Sequence, residues 1–334
     1  MIAASLLASA LRSELGCSSL CVPGRYLRRG LQGVAVDALI GRLSVARERC
    51  AGRMIIDAPI PVIVPARDGA SEADCMIVEG PGDLDVESLR NAMPRSPLFI
   101  IDLSLWDKHS EVEKKELVEQ VISSINYVRE YLWDGNLLVS SAPGGFMELF
   151  NRYAPDMRHM VRITSNPPLQ FMKGARSAVL DPYGDAVSEE ELKGVDVFLV
   201  GGIVDKERKV SNETFSLYRS LGLDNYGVPR YKLTLWGSRV GVPDRINKIV
   251  KILLDAVVGG RGLDDAILAA QSNKDRLQRL VHELQVRGRI INVNGERRLA
   301  INENELKDII SRLGINDKVL RRATRGIKLL VENE

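Results

Sequence analysis

From about residue 95 to 258, short apolar runs alternate with stretches of helical periodicity, and this alternation narrows the fold more than any other feature. LFIIDLS from Leu98, NLLVSS, SAVLD, VDVFLV and YKLTL are short, apolar and bounded by Gly, Pro or Asp. Each reads as a strand. Between the first two, residues 110–132 place Leu117, Val121, Ile125 and Val128 at helical spacing, with Glu111, Glu113 and Lys115 on other faces. GGFMELFNRY, NETFSLYRSLG and DRINKIVKILLDAV supply further helices. A parallel strand pair needs a long crossover, usually a helix, so the alternation predicts a mostly parallel sheet covered on both faces.

Two smaller regions flank it. Residues 1–94 begin with Ile2, Leu6, Leu7, Ala10 and Leu11 on one helical face. The start lacks the basic leader of a signal peptide, and Arg12 and Glu14 follow at once. The runs RMIIDAPIPVIVP and ADCMIVEG read as strands of a small α/β domain. Pro59, Pro61 and Pro65 predict that the first of these is short or lies at an edge. Arg25, Arg28 and Arg29 beside Tyr26 form a basic turn that either grips phosphate or is merely solvated. Residues 259–334 open on a Gly259–Gly262 hinge. Two helices follow, then a hairpin turning at Asn294-Gly295 and a further helix, the order of a winged-helix-like module. A basic tail carries Arg321, Arg322, Arg325 and Lys328. A winged-helix-like module either binds nucleic acid or only mediates protein contacts. No run approaches the roughly 18 apolar residues of a membrane span.

The net charge of +2 rules out a global basic field, so an anionic partner must be held by local patches. Cys17, Cys21, Cys50 and Cys75 all lie in the first quarter, far from His109, His159 and His282. They read as reduced, buried thiols of a cytoplasmic protein rather than as metal ligands. The G-x-G-x-x-G fingerprint after a strand, the G-x-x-x-x-G-K-[ST] phosphate loop and the G-x-S-x-G elbow are all absent.

Ligands of an open parallel sheet sit at the carboxyl ends of its strands. Three segments place glycine, proline or acid there: VLDPYGD, FLVGGIVD and LTLWGSRVGVPD. They nominate Leu180, Asp181, Val200, Gly201, Gly202, Gly237, Gly241, Val242 and Pro243 as ligand-contacting positions, because glycine lets a ligand approach the backbone. Asp102, Asp205 and Asp244 are the candidate acids. Asp102 could instead anchor a turn, and Asp244 could cap the following helix. Asp205 follows a glycine pair and stands among Lys206, Arg208 and Lys209.

FLVGGIVDKERK resembles the signature of the tRNA methyltransferases that modify N1 of the purine at tRNA position nine. IIDLSLWDKHS, VLDPYGD and GSRVGVPDRI fall in that family's order, in the style of its archaeal branch. The resemblance covers residues 95–258 and implies a SPOUT-type sheet with a C-terminal trefoil knot. It implies S-adenosylmethionine as methyl donor at the loops just named, no metal, a tRNA substrate and a monomer. Asp205 would be the general base or base-orienting group, with Asp244 and then Asp102 behind it. Gln120, Arg129, Lys206, Arg208 and Lys209 would meet tRNA, with the Arg25–Arg29 cluster beside them. Adenine and guanine both remain open as the target. A nucleic-acid-binding regulator with a ligand-sensing α/β domain is the alternative. An oxidoreductase is disfavoured by the missing glycine fingerprint.

Overall fold

The computed structural model describes residues 1–205, 212–324 and 328–332. Lys206, Arg208, Lys209 and Arg325 lie outside the described residues.

Three sheets follow one another along the chain. The first contains β1 (Leu20–Cys21), β2 (Ser44–Ala46), β3 (Cys50–Ile56), β4 (Val62–Pro65), β5 (Ser71–Ala73) and β6 (Cys75–Val78), in the order β2-β6-β1-β4-β3-β5. Helices α1 (Ile2–Glu14), α2 (Gly30–Leu39) and α3 (Val86–Ala92) accompany it, and Leu7, Leu11, Val34, Leu39 and Ile60 fill the core. The run RMIIDAPIPVIVP is two antiparallel strands, not one. Pro59 and Pro61 fall in their connection, and β4 is an interior strand between β1 and β3 rather than an edge.

The expectation of reduced thiols is also corrected. Cys17 pairs with Cys75 and Cys21 with Cys50, at Cα separations of 5.9 and 6.1 Å, within the range a disulfide requires. Parallel pairing of β1 with β6 brings the first pair together across 58 residues of sequence, which no local pattern announces.

The central sheet is fully parallel. It holds β7 (Leu98–Asp102), β8 (Leu137–Ser140), β9 (Arg162–Ile163), β10 (Ser177–Ala186), β11 (Val197–Gly201) and β12 (Arg230–Lys232), ordered β12-β10-β11-β7-β8-β9. The crossovers include α4 (Glu111–Tyr131), α5 (Gly144–Tyr153), α6 (Leu169–Met172), α7 (Glu189–Lys193) and α8 (Glu213–Ser220), and α9 (Ile246–Leu253) closes the unit. Helix α4 starts where its sequence says it should: Ser110 and Glu113 form a reciprocal capping box. Apolar residues cover both faces of the sheet, Phe99, Ile101, Phe198 and Val200 on one and Ile100, Val179 and Leu199 on the other.

The last region contains α10 (Leu263–Ala270), α11 (Asn273–Arg287), β13 (Arg289–Val293), β14 (Glu296–Asn302), α12 (Glu303–Leu313), α13 (Asp317–Ala323) and β15 (Leu329–Glu332). Asn294 and Gly295, both at positive φ, make the hairpin turn. The end of the chain is not simply a charged tail, because β15 joins β14 in parallel. No helix among the described residues is long and apolar enough to cross a membrane.

Candidate active site at the carboxyl edge of the central sheet

At the centre of this edge, Asp102 ends β7 and is 1% exposed. It accepts hydrogen bonds from Ser140 Oγ at 2.9 Å, Ser141 Oγ at 2.7 Å, the Ser104 hydroxyl and the Ser104 amide. Its own carbonyl accepts from the Gly202 amide at 2.7 Å. The carboxylate thus ties the end of β7 to the end of β8, and the backbone carbonyl ties it to the end of β11.

The glycine pair serves the same joint. A Cβ on Gly202 would lie 2.5 Å from the Asp102 carbonyl oxygen, and one on Gly201 would lie 3.0 Å from Ile203. Gly202 admits the end of β7, and Gly201 the side chains of Ile203 and Leu217, rather than a ligand. The chain then passes through buried Val204, whose amide donates to His109 Nε2 at 3.1 Å. His109 Nδ1 lies 2.9 Å from the Leu105 carbonyl, so the ring is held as the Nδ1–H tautomer, donating there and accepting from Val204. Asp205 comes next and is exposed.

A cavity of about 630 Å³ opens one strand further along the edge. Its walls include Leu180, Asp181, Gly241, Val242, Pro243 and Asp244. Val200, Gly201 and Gly202 are not in the wall, and Gly237 lines a separate hollow with Glu189 and Asp264, so these expected contacts do not meet the cavity. The Asp181 carboxylate is committed to Arg230, 2.8 Å away, and to the Tyr183 amide. Asp244 does not cap α9. The helix begins at Ile246, whose amide donates at 2.8 Å to Gln120 Oε1 across from α4. Asp244 is thereby exposed in the cavity wall.

That bond corrects the expectation for Gln120, a buried cap for another helix rather than a surface group for tRNA. Arg129 is likewise 6% exposed and bidentate on Asp134 at 2.6 and 2.7 Å, so its charge faces inward. Arg25 and Arg28 are exposed. Arg25 pairs with Glu79, and Arg29 pairs with the buried Asp37 at 3.2 Å. Arg29, Arg42 and Arg158 border a groove of about 920 Å³ between the N-terminal region and α4.

Sequence reasoning missed one wall of the cavity. Gln278, Val281, His282 and Gln285 of α11 all line it. Their spacing marks one helical face, but a mostly polar face carries no mark of the cavity it lines.

The residues present fit a nucleoside-bearing ligand. The cavity has the size of a small-molecule site, its walls are mainly apolar (Leu180, Leu233, Val242, Ile249), and a few polar groups converge on it. A parallel α/β sheet with such a cavity at its carboxyl edge and exposed acids beside it defines a ligand-binding protein of the open-sheet class.

The chain belongs to the family of tRNA position-nine N1-methyltransferases. It is 32% identical over 305 residues to the tRNA (adenine(9)-N1)-methyltransferase of Sulfolobus acidocaldarius, covering 91% of this chain and 96% of that one. It is 36% identical over 218 residues to the tRNA (guanine(9)-/adenine(9)-N1)-methyltransferase of Thermococcus kodakarensis, covering 64% and 57%. The crystal structure of Sulfolobus acidocaldarius Trm10 in complex with S-adenosylhomocysteine superposes with a TM-score of 0.73 at 28% identity, over 97% of this chain and 98% of that one. No family model matches the chain.

Proposed function

We propose that this protein methylates N1 of the purine at tRNA position nine, with S-adenosylmethionine as donor, and that adenine is its target. The cavity at the Leu180 and Gly241–Asp244 strand ends carries the reading, in a chain whose full-length similarity is to an adenine-named relative. The bound donor supplies an electrophilic sulfonium methyl group. Leu180, Val242 and Pro243 offer apolar surface for an adenine ring, and the backbone of their loop offers hydrogen bonds to its edge. Asp205, exposed on the strand end beside β10, faces the purine. Adenine N1 already presents a lone pair, so the carboxylate orients the base and balances the positive charge that develops on methylation. With guanine it would instead accept the N1 proton. Asp244 supports the same site from the cavity wall, and Asp102 only holds the strand ends in place.

The path of the chain from β11 through α8 to β12, on the far side of β10, supports a trefoil knot at this edge. The groove bordered by Arg29, Arg42 and Arg158, with Arg25 and Arg28 exposed nearby, suits the tRNA backbone. The three sheets suit the division at residues 94 and 258, with the protein acting as a cytoplasmic monomer. The test is methyl transfer from labelled donor to tRNA transcripts carrying A or G at position nine, followed by mapping of the labelled nucleotide. The expected result is N1-methyladenine at position nine. Label at any other nucleotide, or none, would overturn the reading.

A further inference from the structure

The loop that forms the cavity wall after β12 does not hold its shape alone. Residues from the C-terminal region grip its backbone from behind. Arg279 of α11, 1% exposed, donates from Nη1 to the Val240 carbonyl at 3.2 Å and to the Ser238 carbonyl at 3.4 Å. Its other side is fixed by Glu283 at 2.5 Å, and its guanidinium lies 4.9 Å from the centre of the Trp236 ring. Gln271, just after α10, donates to the Gly241 carbonyl at 2.7 Å. Three carbonyl oxygens within four residues of the loop are thus held by side chains 30 to 41 residues away.

The packing is as close as the hydrogen bonding. Gly241 has φ +78°, and a Cβ there would lie 2.6 Å from Arg279 Cβ and 2.8 Å from the Asp275 carbonyl oxygen. Helix α11 therefore presses directly on the loop. The same helix turns Gln278 and His282, one turn apart, into the cavity. A helix that both braces the loop and lines the cavity bears on whatever the cavity binds.

We propose that α11 is an integral wall of the methyl-donor site. Arg279 and Gln271 are positioning residues that hold the Ser238–Gly241 backbone in its binding shape, and Gln278 and His282 meet the polar part of the donor. This rests on the functional reading above and extends it: residues 259–334 serve donor binding and not only tRNA affinity. Because the brace and the donor both require the same loop conformation, docking of the C-terminal region and donor binding stabilise each other.

The experiment is calorimetric titration of the full chain with S-adenosylhomocysteine, without tRNA. Arg279→Met keeps the side chain's bulk and removes its donors. Its affinity should fall roughly tenfold or more, the scale of losing charged hydrogen bonds to a binding loop. Gln271→Met should give a smaller loss, and Arg279→Lys should recover part of the affinity. In steady-state methylation the KM for S-adenosylmethionine should rise while kcat at saturating donor is kept, a split that general loss of fold does not produce. Where Arg279→Met does not fold by circular dichroism, Gln271→Met and His282→Ala decide. Folded variants with wild-type S-adenosylhomocysteine affinity would overturn the inference while leaving the proposed activity intact. A wild-type chain that does not bind S-adenosylhomocysteine would overturn both.

Discussion

Two loops at the carboxyl edge are built from the same pattern. One runs from β11 through Gly201 and Gly202 to Asp205, the other from β12 through Gly237 and Gly241 to Asp244. Each is a strand end, a pair of glycines, an apolar step and an exposed acid. In the first, Gly202 is packed against the end of β7 and Gly201 against Ile203 and Leu217, and the proposed site residue is the aspartate beyond them. In the second, Gly241 packs against α11 on one side and borders the cavity on the other. A glycine at a strand end reports that something comes close. What comes close is decided by the neighbour in space.

The largest effect should come from the first loop's acid. Asp205→Asn preserves size and removes charge, and single-turnover methylation of bound tRNA should fall about a hundredfold with little dependence on pH if adenine is the target. A loss of roughly two to four orders of magnitude that tracks pH would instead assign guanine and a general base. Wild-type single-turnover rates would return Asp205 to the status of a turn residue.

Asp102→Ala should cost about 3 kcal/mol in denaturant unfolding, because Ser104, Ser140 and Ser141 lose a shared buried acceptor. Methylation by the fraction that remains folded should be retained. Near-normal stability with lost activity would move Asp102 from joint to catalyst.

Gly202→Val separates the two loops most directly. With the Asp102 carbonyl 2.5 Å from its Cβ, it should destabilise the fold by about 2 kcal/mol, read as a lower Tm, rather than block the donor. Gly241→Val should also lower Tm, because φ is +78° there and its Cβ meets Arg279 Cβ at 2.6 Å. Unlike Gly202→Val, it should weaken S-adenosylhomocysteine binding by the folded protein roughly tenfold as α11 is displaced from the loop. Weakened donor binding by folded Gly202→Val with unchanged binding by folded Gly241→Val would invert the comparison.

The smallest effect lies in the N-terminal sheet, remote from both loops. Burial pushes the Asp74 carboxyl up, but hydrogen bonds from the Ser18 and Ser19 amides and hydroxyls outweigh it and hold it at about 2. A depressed folded-state value means that its stabilisation is complete above the ordinary 3.8 and is lost as pH falls toward 2. Asp74→Asn should therefore lower stability at neutral pH, where the carboxylate's contribution is present, and flatten the acid limb below about 3.8, where the wild type loses it. An unaltered acid limb would exclude Asp74 as a contributor.

Much of the fold was legible because its signals are local. Periodicity gave α4, whose Ser110–Glu113 box lies within one turn, and Asn294-Gly295 gave the hairpin. Strand alternation gave the parallel sheet, and the GGIVDK block with its flanking segments gave the family. The site was only partly legible. Leu180, Asp181, Gly241, Val242 and Pro243 do meet around the cavity, whereas Gly201, Gly202 and Gly237 do not.

Gln120 and Arg129 looked like surface groups because a polar residue on a helix carries no mark of which neighbour covers it. One caps α9, 126 residues later, and the other pairs with Asp134 beneath the chain at Arg158. The disulfide partners and the α11 wall are of the same kind. By itself the sequence determined the elements, their order and the family. The tertiary structure alone decided which polar groups are buried, which glycines face protein and which helix closes the cavity. Secondary structure follows from interactions a few residues apart, whereas burial and pairing depend on contacts between segments that meet only when the chain is folded.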